Sequence, residues 1–345
     1  MVGGRREKPA PACPPRDSGL LRPIYSSGPI MPAPRVSVLI PTLDAERYLD
    51  RLLPALERQV VEGGHEVRVV DSDSRDCTRQ LLRAAGIPVA RIERAQFQHG
   101  ATRNLLARQA RGEFLVFLSQ DALPADEHFL AELVAQFADE RVAGCTSRIL
   151  PHPDDDPLTA RTVLDGADAQ AEPEVRELPE ADALASMPAR ERAALLRFNN
   201  IASCIRKSVL EALPLPELPF GEDSAWAELA LAAGHRIAFA PRSVVHHAHT
   251  YTPSQAFERY RVDAAFQRRV HGHRVRPSLA SVLRGVASEL RRDLAFIQRE
   301  RAGLHHLLRA PGLRTAQVLG QYFGSRGWTL GWSRGSATGA TRKFT

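Results

Sequence analysis

The chain has 345 residues, 43% hydrophobic and 25% charged, which is enough to bury a sizeable core as one large or two small domains and excludes a chain disordered throughout. Its 46 Lys and Arg against 40 Asp and Glu leave a net charge of +6, which suits anionic partners such as nucleotide diphosphates, phospholipid head groups or nucleic acid without choosing among them. Cys13, Cys77, Cys145 and Cys204 are scattered without C-x-x-C or paired spacing, so neither a zinc site nor a disulfide framework is suggested, and a reducing cytoplasm fits best.

Residues 1–34 are dense in proline, from Pro9 to Pro34, and read as a disordered leader. Arg5, Arg6 and Lys8 are followed by prolines rather than an apolar core, so this stretch does not read as a signal peptide. No apolar run approaches the ~20 residues of a transmembrane helix. Order is expected to start at the strand Val36-Ser37-Val38-Leu39-Ile40-Pro41, followed by a helix carrying Tyr48, Leu49, Leu52, Leu53 and Leu56 on one face. A second strand, Val67 to Val70, ends in Asp71-Ser72-Asp73-Ser74-Arg75-Asp76-Cys77-Thr78, and Ser74, Asp76 and Thr78 read as turn and helix-capping residues. A third strand near Val89 to Ile92 leads to Phe97-Gln98-His99-Gly100-Ala101-Thr102-Arg103-Asn104 and a helix.

The fourth strand, Phe114 to Leu118, is five apolar residues without interruption, the pattern of a strand buried on both faces. It delivers Asp121 to the carboxyl edge of the sheet, where ligands of open α/β sheets bind. A carboxylate there can hold a divalent metal and the phosphates it carries, or it can cap a helix beginning near Asp126. Strands alternating with helices predict βαβ units and a mostly parallel sheet.

Beyond Asp121 the pattern predicts a strand over Val142 to Leu150, then a polar stretch to about Glu191 in which Asp154, Asp155 and Asp156 read as a solvated loop. Order returns around Phe198 to Arg206, with a helix from Lys207 and another opened by Glu222-Asp223 that carries Trp226 as a core residue. Ile237 to Phe239 and Val244-Val245 read as short strands, the latter ending in His246-His247-Ala248-His249. His247 and His249, at i and i+2 of an extended segment, point to the same side. From about Tyr260 the chain reads as helical and basic, with an apolar stripe of Leu279, Val282, Leu283, Val286, Leu290, Leu294 and Ile297 flanked by Arg284, Arg291, Arg292 and Arg299.

Taken in order, Val36 to Thr42, Asp71 to Thr78, Gly100 to Asn104, Leu118-Ser119-Gln120-Asp121-Ala122 and Gly221-Glu222-Asp223 make the chain resemble a family 2 glycosyltransferase with the GT-A fold. The segment Phe97 to Asn104 is similar to the F-x-H-G-x-T-R-N segment of bacterial rhamnosyltransferases, and the resemblance covers about residues 35 to 270. It implies a GT-A-type sheet flanked by helices over 35–270, and the helical pattern above leaves residues 271–345 as a basic helical extension. It also implies donor contacts at Pro41, Thr42, Asp71, Asp73, His99, Arg103, Gln120 and Asp121, with Asp71 and Asp73 at the base and ribose and Arg103 at the diphosphate. Asp121 matches the last position of the family's D-x-D, whose first aspartate is here Ser119, so Mg²⁺ or Mn²⁺ would rest on Asp121 and on His247 or His249. Glu222 and Asp223 match the family's acidic pair, with Asp223 as the base that deprotonates the acceptor.

The expected activity is therefore inverting transfer of a sugar, L-rhamnose from dTDP-rhamnose, to a hydroxyl of a cell-surface glycan or lipid-linked precursor. A UDP- or GDP-sugar donor is the alternative within the family. The C-terminal helices offer a peripheral contact with the inner face of the plasma membrane. A nucleotidyltransferase would carry a Gly-rich, Lys- or Arg-bearing loop after the first strand, which Pro41-Thr42-Leu43-Asp44-Ala45 lacks. A nucleic-acid-binding module would interleave its arginines with aromatics rather than gather them in the tail, so no nucleic-acid partner is expected.

Overall fold

A computed structural model describes residues 33–180, 183–218 and 220–327. The proline-rich leader, apart from residues 33 and 34, and the tail beyond 327 lie outside the described residues. In chain order the elements are β1 (Val36–Thr42), α1 (Glu46–Glu57), β2 (His65–Asp71), α2 (Thr78–Ala84), β3 (Val89–Arg91), α3 (His99–Gln109) and β4 (Phe114–Leu118). Then come β5 (Leu123–Pro124), α4 (Phe129–Ala135), β6 (Val142–Leu150), α5 (Pro157–Leu164), β7 (Glu174–Arg176), α6 (Ala183–Ser186), α7 (Ala189–Leu195), β8 (Ala202–Arg206) and α8 (Lys207–Ala212). The chain continues through α9 (Glu222–Ala232), β9 (Arg236–His246), α10 (Pro253–His271), α11 (Leu279–Arg299) and α12 (Ala310–Ser325).

The strands form one sheet in the order β3-β2-β1-β4-β8-β6-β9-β5, with β7 also paired to β9. β3, β2, β1 and β4 are parallel. β8, inserted between β4 and β6, is antiparallel to both, so the parallel pattern expected from the alternating elements holds only up to β4. Parallel pairing resumes between β6 and β9.

The alternation along each central strand explains why the sequence shows no polar interruption. Val36, Val38 and Ile40 of β1, with Phe114, Val116 and Leu118 of β4, pack with Leu49, Leu52, Leu53 and Leu56 of α1 on one face. Leu39, Leu115 and Phe117 point to the other face, against Leu106 of α3 and Trp226 of α9. Each such side chain contributes about 1.5–3 kcal/mol on burial. Trp226 is the centre of that second layer: it is fully buried, meets Phe198 at 5.0 Å between ring centroids, and donates its indole N–H to Leu213 O at 3.0 Å. Gly144 on β6 lies beneath it, and any Cβ there would sit 2.8 Å from the indole ring.

Three expectations change. Ile237 to Phe239 and Val244-Val245 belong to one strand, β9, with a register irregularity between Ser147 and Arg148 of its partner β6. The polar stretch 151–191 is not one loop: it contains α5, β7, α6 and the start of α7. Asp156, expected as part of a solvated loop, is the N-cap of α5 and accepts from Leu158 N at 3.1 Å and Thr159 N at 3.4 Å.

The C-terminal helices are bound to this middle segment through charge. Arg161 of α5 reaches Asp293 of α11 at 2.6 Å and Glu289 at 2.6 Å. Arg314 of α12 holds both oxygens of the same Asp293 at 2.8 Å, and Asp293 is 0% exposed. The stripe on α11 is divided by this packing: Val282 and Ile297 are buried, while Leu279 and Leu283 stay 66% and 74% exposed. Among the described residues no helix is long and apolar enough to cross a membrane.

Candidate active site

The carboxyl ends of β1, β2 and β4 open into a cleft of about 380 Å³ whose far wall is the start of α9 and the segment after β9. Asp121 stands in the turn after β4, which closes with Ala122 N on Ser119 O at 3.0 Å. It caps no helix: α4 begins eight residues later, and Asp126 accepts from His128 N at 2.8 Å just ahead of it. Instead the Asp121 carboxylate faces His247 Nε2 and His249 Nε2, each at 3.5 Å. One oxygen and two imidazole nitrogens all lie within 4.8 Å of one another, a spacing that one ion can bridge. The expected i, i+2 placement of the two histidines on one side of an extended segment is what the structure has, with their rings 4.7 Å apart. Burial raises the Asp121 carboxyl, but the two histidines outweigh it and hold the group below the usual carboxylate range. Burial, then His247, lowers His249 to about 4, so its imidazole is neutral and its lone pair free to ligate.

Across the cleft, Gly221 turns the chain into α9 with φ of +81°, and a Cβ there would strike the Phe266 ring at 2.0 Å. That turn sets the two acidic residues apart. Glu222 is buried, takes Arg103 Nη1 at 2.8 Å and accepts from Asn200 Nδ2 at 3.3 Å. Asp223 lines the cleft, accepts from Ser224 N at 2.7 Å, and has no ion pair to a guanidinium among the described residues. Burial, then the neighbouring Glu222, pushes its carboxyl up to about 7. A carboxyl with that affinity for a proton is matched to base catalysis near neutral pH.

The expected donor residues separate into those on the cleft and those beneath it. Pro41, Thr42, His99, Arg103, Gln120 and Asp121 line it. Asp71 does not: it is fully buried and accepts from Thr42 Oγ1 at 3.1 Å, from Ser74 N at 3.0 Å and from the Ser74 hydroxyl. Asp73, with φ of +66°, pairs with Arg91 at 2.5 Å at the surface. Both carboxylates were expected at the base and ribose, and both shape the acidic turn while Ser72 between them lines the cleft. Ser74, Asp76 and Thr78 accept from Asp44 N, Glu46 N and Ala45 N, so they stitch this turn to the start of α1. Gln120 clips the same loop with both amide ends on the Leu43 backbone, at 2.8 and 3.1 Å. Arg103 gives its Nη1 to Glu222 and to His99, whose ring burial lowers to about 4, while its buried Nε has no hydrogen-bond partner.

Residues the sequence reading passed over also face the cleft: Ser72, Arg94, Asn199, Asn200, Phe220, Tyr251 and Arg259. Tyr251 follows His249 by two on the same extended segment, and that spacing is the one signal that could have found it.

The fold and this site together define a GT-A-type glycosyltransferase, and comparison with known proteins agrees. Residues 37–202 match the model of Glycosyl transferase family 2. The chain is 30% identical over 230 residues to the O-antigen chain rhamnosyltransferase RfbN of Salmonella typhimurium, covering 66% of this chain and 70% of that protein. It is 31% identical over 235 residues to the O-antigen chain rhamnosyltransferase WbaN of Salmonella anatum, with the same coverage of each chain. In fold it is similar to the mannosyltransferase PcManGT from Pyrobaculum calidifontis, solved with GDP-Man and Mn²⁺, at a TM-score of 0.52 and 18% identity over 86% of this chain and 88% of that one. The chain thus belongs to glycosyl transferase family 2.

Proposed function

We propose that this protein is an inverting glycosyltransferase that moves L-rhamnose from dTDP-rhamnose to a hydroxyl of a cell-surface glycan or its lipid-linked precursor. The observation that carries the reading is the pairing, within one cleft, of a three-ligand cluster at Asp121, His247 and His249 with an unpaired carboxylate at Asp223 whose proton affinity is set near 7. Their roles follow from chemistry. A divalent ion held by Asp121, His247 and His249 would neutralise charge on the departing diphosphate. Two imidazoles beside one carboxylate suit Mn²⁺ better than Mg²⁺, which favours an all-oxygen shell. Asp223 takes the proton of the acceptor hydroxyl, and a base on the face away from the leaving group gives a single displacement with inversion. Glu222, already paired with Arg103, raises the proton affinity of Asp223.

The choice of rhamnose rests on the two relatives above and on the Phe97 to Asn104 segment. Catalysis is assigned to residues 35–270, with the remaining helices as an extension packed against it. Leu279 and Leu283, exposed beside Arg284 and Arg291, support a peripheral contact of that extension with an anionic membrane.

The test offers purified protein dTDP-rhamnose and a panel of UDP- and GDP-sugars, with and without Mn²⁺ or Mg²⁺, and follows slow hydrolysis of each. Metal-dependent hydrolysis of dTDP-rhamnose is expected, lost in Asp121→Ala. Preference for a UDP- or GDP-sugar overturns the rhamnose assignment, and absence of any hydrolysis overturns the transferase reading.

A further inference from the structure

A second chamber of about 420 Å³ opens off the catalytic cleft, with His247, His249, Tyr251 and Arg259 lining both spaces. Its own walls carry Asp168 from the turn after α5, Tyr260 and Asp263 from α10, and Gln317 from α12. Several of their polar groups are uncommitted. Asp168 Oδ1 is buried, 3.5 Å from Arg197 Nε, and makes no hydrogen bond. The Tyr260 hydroxyl and the Gln317 amide nitrogen have no hydrogen-bond partner among the described residues. The Gln317 oxygen, by contrast, is fixed by Arg314 Nη1 at 2.8 Å. Asp263 has Arg259 at 3.4 Å, a looser pair than those at the α5–α11–α12 contact. Asp168 Oδ1 is a buried group without a partner, and the unpartnered Tyr260 hydroxyl and Gln317 amide nitrogen belong to residues lining the same cavity, a polar lining that a ligand would complete.

The chemistry of the walls selects the ligand. Two carboxylates disfavour a phosphate, and the chamber's arginines already have acids, Arg314 at Asp293 and Arg259 at Asp263. An alkyl chain would leave the hydroxyl, amide and carboxylates stripped of water without partners. A neutral saccharide matches: its hydroxyls donate to carboxylates and accept from an amide or phenol, and its ring faces can lie on Tyr251 or Tyr260. The volume falls within the range of small-ligand sites. The position is also apt, because Arg259 is close enough to Asp223 for their charges to interact.

We propose that this chamber holds the saccharide units of the acceptor that precede the reacting hydroxyl, an assignment that rests on the glycosyl-transfer reading above. The rigid contact of Arg161, Asp293 and Arg314 then has a use: it fixes α5 and α12, two of the chamber's walls, against each other.

The experiment titrates the methyl α-glycosides of L-rhamnose, D-galactose, D-mannose and D-glucose against the full chain by saturation-transfer NMR, and separately titrates dTDP, UDP and GDP with Mn²⁺ by calorimetry. At least one glycoside should bind at millimolar concentration, with affinity reduced fivefold or more in Tyr260→Phe and in Gln317→Ala. Nucleoside diphosphate affinity should stay unchanged in both variants. Tyr260→Phe removes one oxygen atom, and unaltered Tm of either variant makes its result interpretable. A wild-type chain that binds none of the glycosides, variants that bind as well as wild type, or a glycoside displaced by the nucleotide each overturns the chamber assignment. Wild-type protein that binds no nucleoside diphosphate sinks the transferase reading instead.

Discussion

Two buried charge clusters in this molecule look alike by composition and differ in how completely they are paired. At the α5–α11–α12 contact, both oxygens of Asp293 are held by Arg161 and Arg314, and Glu289 and Asp165 take the remaining Arg161 nitrogens. In the cleft, Glu222 has Arg103, but Asp223 has no guanidinium at ion-pair distance among the described residues and Asp121 has only two imidazoles. A buried ion with all its partners holds structure, and removing one partner leaves a stranded charge. A buried carboxylate left without a cation keeps its affinity for a proton or a metal, which is what catalysis requires. The same contrast runs within three atoms of backbone at Glu222 and Asp223. Adjacent carboxylates are divided by the turn at Gly221 into one that is neutralised and one that is available.

Four changes break or sharpen that contrast, taken from the largest effect down. Asp223→Asn keeps the volume and the cap on Ser224 N but cannot take a proton, so kcat should fall by about 10²- to 10⁴-fold with donor affinity intact. Steady-state kinetics with unchanged kcat would refute a base at this position. Asp293→Ala strands Arg161 and Arg314, and chemical denaturation should show a loss of about 3–5 kcal/mol. A loss under about 1 kcal/mol would mean that the cluster is hydrated rather than buried.

The third concerns pH. Since only ionised Asp223 accepts a proton, kcat/KM should rise about tenfold per unit up to an apparent pKa near 7 and then level. The sign for folding is opposite. A carboxyl raised above its unfolded value stabilises the fold while protonated, and that contribution is lost as pH rises through about 7. A profile of the same shape in Glu222→Gln, but shifted to lower pH, would identify Glu222 as part of the cause; an unshifted one would leave burial alone. The smallest change expected is from Ser119→Asp, which adds a second carboxylate near Asp121 and should tighten Mn²⁺ binding severalfold by calorimetry. No gain would place the residue 119 side chain away from the ion.

Much of the cleft wall beside β1 and β4 was legible because it depends on local pattern. The uninterrupted apolar run Phe114 to Leu118 announces a strand buried on both faces, and a residue just beyond such a strand is carried to the carboxyl edge of the sheet, so the place of Asp121 follows from the sequence. Gly221-Glu222-Asp223 likewise announces a helix start. Other features were not legible. Whether Asp71 or Ser72 faces the cleft is decided by the twist of one turn, and in the structure Asp71 is drawn inward by Thr42 and Ser74. Arg103 could be read as a phosphate ligand, since nothing in its segment reveals Glu222, 119 positions away, as its partner.

By itself, then, the sequence determined most of the elements, the parallel half of the sheet, the edge at which the cleft opens and the residue types gathered there, because strand burial, helix starts and i, i+2 alternation are properties of a few consecutive residues. Only the tertiary structure decided that β8 runs antiparallel between β4 and β6, that the segment 151–191 folds and is tied by Arg161 to α11, and which of the many carboxylates keep a free charge. Those outcomes depend on pairs far apart in the chain. Coulomb attraction and desolvation act between neighbours in space, and the identity of those neighbours is settled only when the sheet and the C-terminal helices have closed around them.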